Sequence, residues 1–513
     1  MMRTYRGSYR GSYRRLTAAA VSVITIFSGV FLTASPASAG VTVDGGGSTW
    51  SSIAVTQWAA DVARQGLSIN YQANGSTAGR VFYYSEQVDF AVSEIPFQAE
   101  YRDATGTAVT NEVALAQKRP WVYLPIVAGG TSFMYNLVIN GKRFTDLRLS
   151  PDVLAKIFTG AINRWNDPAI ASENPGVALP AIPVKPTIRS DGSGTSAQFT
   201  AYMASEAPAV WSAFCRKVGL PANCPATSIY PEFDGSTAQQ FSDGVAAFVA
   251  APYNNGAITY VEYGYAKQRS FPVASLLNNG GYYAQPTAQA VAIALQGARI
   301  NPDGTQVLAG VYRNTDARAY PVSSYSYMIA PTTTAKPFST EKGDVLGKFI
   351  LYFLCAGQQK AAQLGYSPLP KNLVQLGFDA VAKIPGAPAV PSIDTCANPT
   401  ITGDFITGAA PPPPDSAKKA SVAGIGNGGS GQTGGVSGVI VGTGVSGVTG
   451  VTSGERVVDG QLLTASKPLA LKTPSDDGTV GYLLIALLLG AVVFAPPLTA
   501  VAMRRKRGAK ISK

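Results

Sequence analysis

Lys185-Pro-Thr-Ile-Arg-Ser-Asp-Gly-Ser-Gly-Thr195 passes from a strand-forming run, Lys185 to Arg189, through a glycine and serine turn into the helical spacing of Phe199 and Met203. The same transition occurs twice earlier. Gly45-Gly46-Gly47-Ser48-Thr49 follows the run Val41 to Asp44, and Asn74-Gly75-Ser76-Thr77 follows Leu67 to Gln72. Further strand-like runs at Val88 to Val92 and Trp121 to Ala128 are interleaved with helix-period segments, among them Ala54, Trp58 and Val62 and the long stretch Glu341 to Leu364. Strands alternating with helices are the α/β signature. No period of about 20 to 50 residues recurs, so a solenoid is not expected.

Outside this region the composition changes. Residues 1–39 read as a signal peptide: an arginine-rich start, an apolar run from Leu16 to Leu32, and Ala37-Ser38-Ala39 as the cleavage site. Gly403 to Gly478 is rich in glycine, serine, threonine and valine behind Pro411 to Pro414, and is expected to be a disordered linker with a reach of roughly 45 to 50 Å. Residues 480–503 carry no charge and would extend about 36 Å as a helix, enough for one transmembrane span. Asp476 and Asp477 before it and Arg504-Arg505-Lys506-Arg507 after it place the 504–513 tail in the cytoplasm and everything earlier outside. The folded part is then residues 40–402, too long for one small core and suited to two lobes.

The net charge of +11 is explained by this topology. Residues 1–39 hold five arginines and no acid, residues 504–513 hold six cations and no acid, and the remainder balances 30 basic against 30 acidic groups. A phosphate-backbone binder needs a basic patch, so nucleic acid is not an expected partner. The chain has no histidine, which excludes serine-histidine and cysteine-histidine catalysis and an HExxH zinc site. Four cysteines in an exported chain suggest two disulfides; Cys215 with Cys224 closes a short loop and leaves Cys355 with Cys396, but three pairings are open.

Taken singly, each glycine and serine cluster is an ordinary turn with a helix cap. Three of them converging would surround a small tetrahedral anion with unpaired backbone N–H groups and hydroxyls. Arg189, at the end of its strand, supplies the single bidentate positive contact, and Asp191 two residues on can pin its guanidinium. No Gly-x-x-x-x-Gly-Lys-Ser/Thr occurs, so a nucleotide P-loop is not supported. A fourth strand ends in Ser93-Glu94. A carboxylate beside an anion repels it unless the anion keeps a proton; phosphate does near neutral pH and sulfate does not, so Glu94 would select for phosphate.

Several segments in one order resemble a known family: Gly45-Gly-Gly-Ser-Thr-Trp50, Asn70-Tyr-Gln-Ala-Asn-Gly-Ser76, Val88-Asp-Phe-Ala-Val-Ser93, Phe158-Thr-Gly-Ala-Ile-Asn-Arg-Trp-Asn-Asp-Pro168, Ile188-Arg-Ser-Asp-Gly-Ser-Gly-Thr195, Asp243-Gly-Val-Ala-Ala-Phe248 and Tyr260-Val-Glu-Tyr-Gly-Tyr-Ala-Lys267. They are similar to the substrate-binding protein of the high-affinity phosphate ABC transporter. The resemblance implies a type 2 periplasmic-binding-protein fold of two α/β lobes. Lobe 1 would be about 40–127 and 325–402 and lobe 2 about 128–324, with crossover strands near Pro125 to Asn136 and Tyr320 to Ile329. It implies a phosphate site formed by Ser48, Thr49 and the backbone of Trp50, by Ser76, by Glu94, and by Arg189, Asp191, Ser193, Gly194 and Thr195.

Two departures stand out. Position 50 is usually phenylalanine in that family, and position 94 is usually aspartate, so the additional methylene of Glu94 is expected to weaken discrimination against sulfate or favour a related oxyanion such as arsenate. No cysteine precedes Cys215, so the C-terminal helix takes the place of a lipid anchor. The expected protein is a monomer without catalytic activity, metal or cofactor, working with ABC permease and ATPase subunits at the outer face of the membrane. The alternatives are a secreted phosphate-handling hydrolase, invited by Ser193 between two glycines, and a surface phosphate sensor or adhesin on the same fold.

Overall fold

The computed structural model describes residues 40–419 except 100, 103–107, 221–223, 404 and 406–411. The signal segment, the 480–503 span, the basic tail and most of the 403–478 stretch lie outside the described residues. Among those described, no helix is long and apolar enough to cross a membrane.

The main elements, in chain order, are β1 (Thr42–Gly47), α1 (Ser52–Ala63), β2 (Ser68–Ala73), α2 (Ser76–Tyr84), β3 (Phe90–Ser93), β4 (Trp121–Asn136), β5 (Lys185–Arg189), α3 (Gly194–Glu206), β6 (Thr237–Gln239), α4 (Phe241–Ala250), β7 (Ala257–Glu262), α5 (Tyr263–Gln268), β8 (Ser323–Pro331), α6 (Thr340–Leu354) and α7 (Lys371–Val381). Eight strands form one sheet in the order β6-β5-β7-β4-β8-β3-β1-β2. β1 runs parallel to β2 and β3, and β5 parallel to β6 and β7. Parallel neighbours need helical crossovers, and α1, α2, α3 and α4 supply them.

The 16-residue β4 ties the two parallel groups together. Its first part, Trp121 to Gly130, pairs antiparallel with β8, and its second, Thr131 to Asn136, with β7. β8 in turn pairs with β3. Lobe 1 thus carries β1, β2, β3, α1, α2, α6 and α7; lobe 2 carries β5, β6, β7, α3, α4 and α5. The crossovers are Trp121–Asn136 and Ser323–Pro331, close to the expected segments but starting earlier in the first and later in the second. The β4–β8 ladder slips register between Ser326 and Tyr327, a β-bulge beside the cleft.

Aromatic clusters fill the interior on both sides. In lobe 1 Trp58 stacks on Phe353 at 5.5 Å, and Phe353 meets Phe349 edge-on at 5.3 Å. In lobe 2 Phe199 lies 5.0 Å from both Phe158 and Tyr260. Each such ring taken fully out of water contributes on the order of 2 kcal/mol.

Some expectations shift at the edges. Gly45 to Gly47 belong to β1 and not to the loop after it, because glycine lets β3 approach: a β-carbon on Gly45 would strike the Phe90 ring, and one on Gly47, at φ +132°, would strike the Val92 carbonyl. The long helical stretch Glu341 to Leu364 is broken. α6 ends at Leu354, where Cys355 leaves helical geometry (φ −109°, ψ −98°) to bond with Cys396, and a 3₁₀ turn, Ala356–Lys360, follows. The disulfides are Cys215–Cys224 and Cys355–Cys396, which selects one of the three pairings. Finally, residues 418 and 419 of the stretch expected to be a linker lie on the body: the Lys419 amide donates to the Gly281 carbonyl at 2.9 Å, and Lys418 bridges Tyr282 in lobe 2.

Candidate functional site

Three helices begin at the cleft, each one turn after a strand that points into it: α1 after β1, α2 after β2 and α3 after β5. Their first residues are buried, with Ser48 and Trp50 at most 1 % exposed, and Ser76, Ser193 and Thr195 no more than 2 %. α3 is capped in the expected way, the Ser193 hydroxyl accepting the Ser196 amide at 3.2 Å. Gly194, the next residue, has to be small. A β-carbon there would collide with Glu94 Oε2 and lie 2.7 Å from Ser76 Oγ, so lobe 1 sits directly on the start of α3.

Arg189 is 2 % exposed and stretched along Asp191. Its Nε donates to Asp191 Oδ1 at 2.7 Å, its Nη2 donates to Oδ2, and its Nη1 donates to the Ser242 hydroxyl at 3.2 Å. Burial alone would pull this guanidinium down, but Asp191 together with Tyr260 and Tyr265 holds it above its ordinary value, so it stays a cation. Three of five N–H donors are engaged, which leaves two for an anion. Asp191 is itself fixed by the Phe241 amide at 2.8 Å. Phe241 takes a left-handed φ of 61° to bring that amide round, a strained conformation for a bulky residue, located where the site is assembled.

Glu94 is 1 % exposed and receives three hydroxyls: Ser48 and Ser326 (2.5 Å) donate to Oε1, and Ser76 donates to Oε2 at 2.6 Å. The chain beneath it is held rigidly. The Ser93 hydroxyl accepts from Arg80 Nη1 at 3.1 Å, and Arg80 forms a fully buried ion pair with Glu112 at 2.9 Å. Thr49 closes the other side of the cleft, its hydroxyl 2.8 Å from that of Ser242 in lobe 2. The carbonyls of Thr49 and Trp50 are tied to Tyr265 and Tyr366, both at 2.6 Å, which aims this turn's amides.

The cleft thus brings together buried Arg189, paired with Asp191 and Ser242, and buried Glu94, which receives the hydroxyls of Ser48, Ser76 and Ser326. Residues 33–356 match the PBP superfamily domain, which is more than half of the chain. A phosphate-binding protein PstS of Xylella fastidiosa is 32% identical over 340 residues, covering 65% of this chain and 83% of that protein. The chain belongs to the PstS phosphate-binding proteins. PstS of Pasteurella multocida is 31% identical over 340 residues, 65% of this chain and 88% of the relative, and PstS3 of Mycobacterium bovis is 29% identical over 355 residues, 66% and 87%.

In this PstS-family chain the residues singled out in the sequence sit on the turns at the ends of β1, β2, β3 and β5, and the Ser48, Ser76 and Trp50 side chains already have partners within the protein. The Ser48 hydroxyl is spent on Glu94. The Trp50 side chain points away, its indole N–H donating to the Thr131 hydroxyl on β4 at 3.2 Å. Gly129 makes room for it, since a β-carbon there would lie 2.7 Å from the ring. Phenylalanine could fill the space but not make that hydrogen bond. Ser242 and Ser326 were not found from the sequence. Ser242 directly precedes the Asp243-Gly-Val motif, so extending that motif by one residue would have found it; Ser326 lies in an apolar strand and carries no such signal.

Proposed function

We propose that this protein captures inorganic phosphate outside the cytoplasm and presents it to the permease and ATPase of an ABC importer. The observation that supports this reading is that a buried arginine, Arg189 held by Asp191, and a buried carboxylate, Glu94 against the start of α3, both border the strand–helix turns of the cleft. A cation alone would accept any tetrahedral anion, whereas a cation with an acceptor opposite favours one that keeps a proton. The ligand would be held by Ser48, Thr49, Trp50 and Ser76 from lobe 1 and by Arg189, Ser193, Gly194 and Thr195 from lobe 2, with Glu94 taking the phosphate proton. Affinity arises from preorganised neutral donors and one charge, and release from separation of the lobes.

Residues 1–39 direct export, residues 480–503 anchor the chain, and the 504–513 tail stays inside; the domain acts as a monomer and turns nothing over. Titration calorimetry on the purified full chain tests the reading. Phosphate should bind tightly and sulfate at least tenfold more weakly, with arsenate close to phosphate; tight sulfate binding or no phosphate binding would refute it. Replacing Arg189 by alanine should abolish binding, and an unchanged affinity would place the site elsewhere.

A further inference from the structure

We propose that Ser326 is a positioning residue that decides which oxygen of Glu94 is offered to the bound anion, an inference that rests on the phosphate site proposed above. Ser326 belongs to the crossover strand β8 and is fully buried. It lies opposite Val127, at a register shift where β4 carries the extra residue, Ile126. Its hydroxyl donates to Glu94 Oε1 at 2.5 Å.

The hydrogen-bond count gives this contact its meaning. A carboxylate has about four lone-pair positions, two on each oxygen. On Oε1 both are taken, by Ser48 and Ser326. On Oε2 only Ser76 donates, which leaves one position, and Oε2 is the oxygen that a β-carbon on Gly194 would strike at the start of α3. The unfilled lone pair is therefore on the oxygen facing the helix start where the anion is held. The last torsion of a glutamate is broad and nearly two-fold, so nothing intrinsic keeps the two oxygens from exchanging. Ser326 supplies the asymmetry.

The test is the ratio of phosphate to sulfate affinity, measured by calorimetry on the full chain from pH 5 to 9. Ser326→Ala should lower that ratio about tenfold and flatten its pH dependence. Ser326→Thr, which keeps the hydroxyl, should restore both. In a Glu94→Gln background, Ser326→Ala should add nothing, because its effect passes through the carboxylate. Ser326→Cys, close in volume but a weak donor, gives the same reading should the alanine variant not fold. If Glu94→Gln changes the ratio while Ser326→Ala and Ser326→Cys do not, the positioning role is wrong and the phosphate site stands. If neither residue moves the ratio, the site reading fails and this inference with it.

Discussion

Glu262 lies at the junction of β7 and α5 with no exposed surface, accepting the Gly264 amide at 2.7 Å and packed against Tyr366. Burial pushes its carboxyl well above the usual range, against the pull of the Gly264 amide, Tyr366, the Tyr263 amide and Lys267. A protonated Glu262 fits its neighbour: Tyr366 gives its proton to the Trp50 carbonyl and has a lone pair to accept one. The sign of the linkage follows. The folded state holds a proton that the unfolded chain gives up near pH 4.5, so this stabilisation is complete below that pH and is lost as pH rises through the higher folded value. Glu262→Gln should keep the donor without titrating. Its melting temperature should gain on the wild type by a few degrees between pH 4.5 and 8, and parallel curves would contradict this. At this scale the sequence was readable where partners are close along the chain. Arg189 and Asp191 are two residues apart, and their ion pair was expected. Ser326 and Glu94 are 232 residues apart, and only the tertiary fold brings them together.

At the scale of elements, the three strand–loop–helix units were legible because glycine clusters and capping serines mark them locally. From periodicity β4 was legible only in its first half, its continuation to Asn136 being implied by the family resemblance. Gly129 and Gly130 look like a strand end, yet the chain runs on because those glycines accommodate Trp50 and Tyr320 and not a turn. α6 ends for a reason that periodicity cannot carry, the bond from Cys355 to Cys396. That bond spans 41 residues and the Cys215–Cys224 bond spans 9. On a chain-entropy account the first contributes about 4 kcal/mol and the second about 2.5 kcal/mol. Denaturant unfolding of the two double-alanine variants should therefore show the larger loss for Cys355/Cys396, and the reverse order would mean that native packing, not loop closure, sets their value.

Across the whole molecule, the lobes meet through short polar contacts and through small apolar ones, such as Ile95 packed with Ala197 and Ala226. The Thr77 amide donates to the Gly192 carbonyl at 3.2 Å, Gln198 Nε2 donates to the Glu94 carbonyl at 2.8 Å, and the Thr49 and Ser242 hydroxyls touch. Water can replace each of these polar contacts, which suits a cleft that opens, with β4 and β8 as the strands that pass between the halves among the described residues. The C-terminal boundary read from composition, residue 402, falls short of the last contact, since Lys418 and Lys419 pair with Tyr282 and Gly281. A chain cut after residue 402 should melt about 1 to 3 °C below one cut after 419, and equal melting points would show the pairing to be energetically idle.

The same strap has a mechanical meaning. Tension applied beyond Lys419 meets resistances in series: first the backbone pairing with Gly281 and Tyr282 in lobe 2, then the hydrogen bonds of Thr400 and Asn398 to Leu369 and Leu354, and then the covalent staple from Cys396 to Cys355 in lobe 1. Once the strap has peeled, the load path terminates in a single lobe, and a pull on the tail shifts the whole domain without prying the cleft apart.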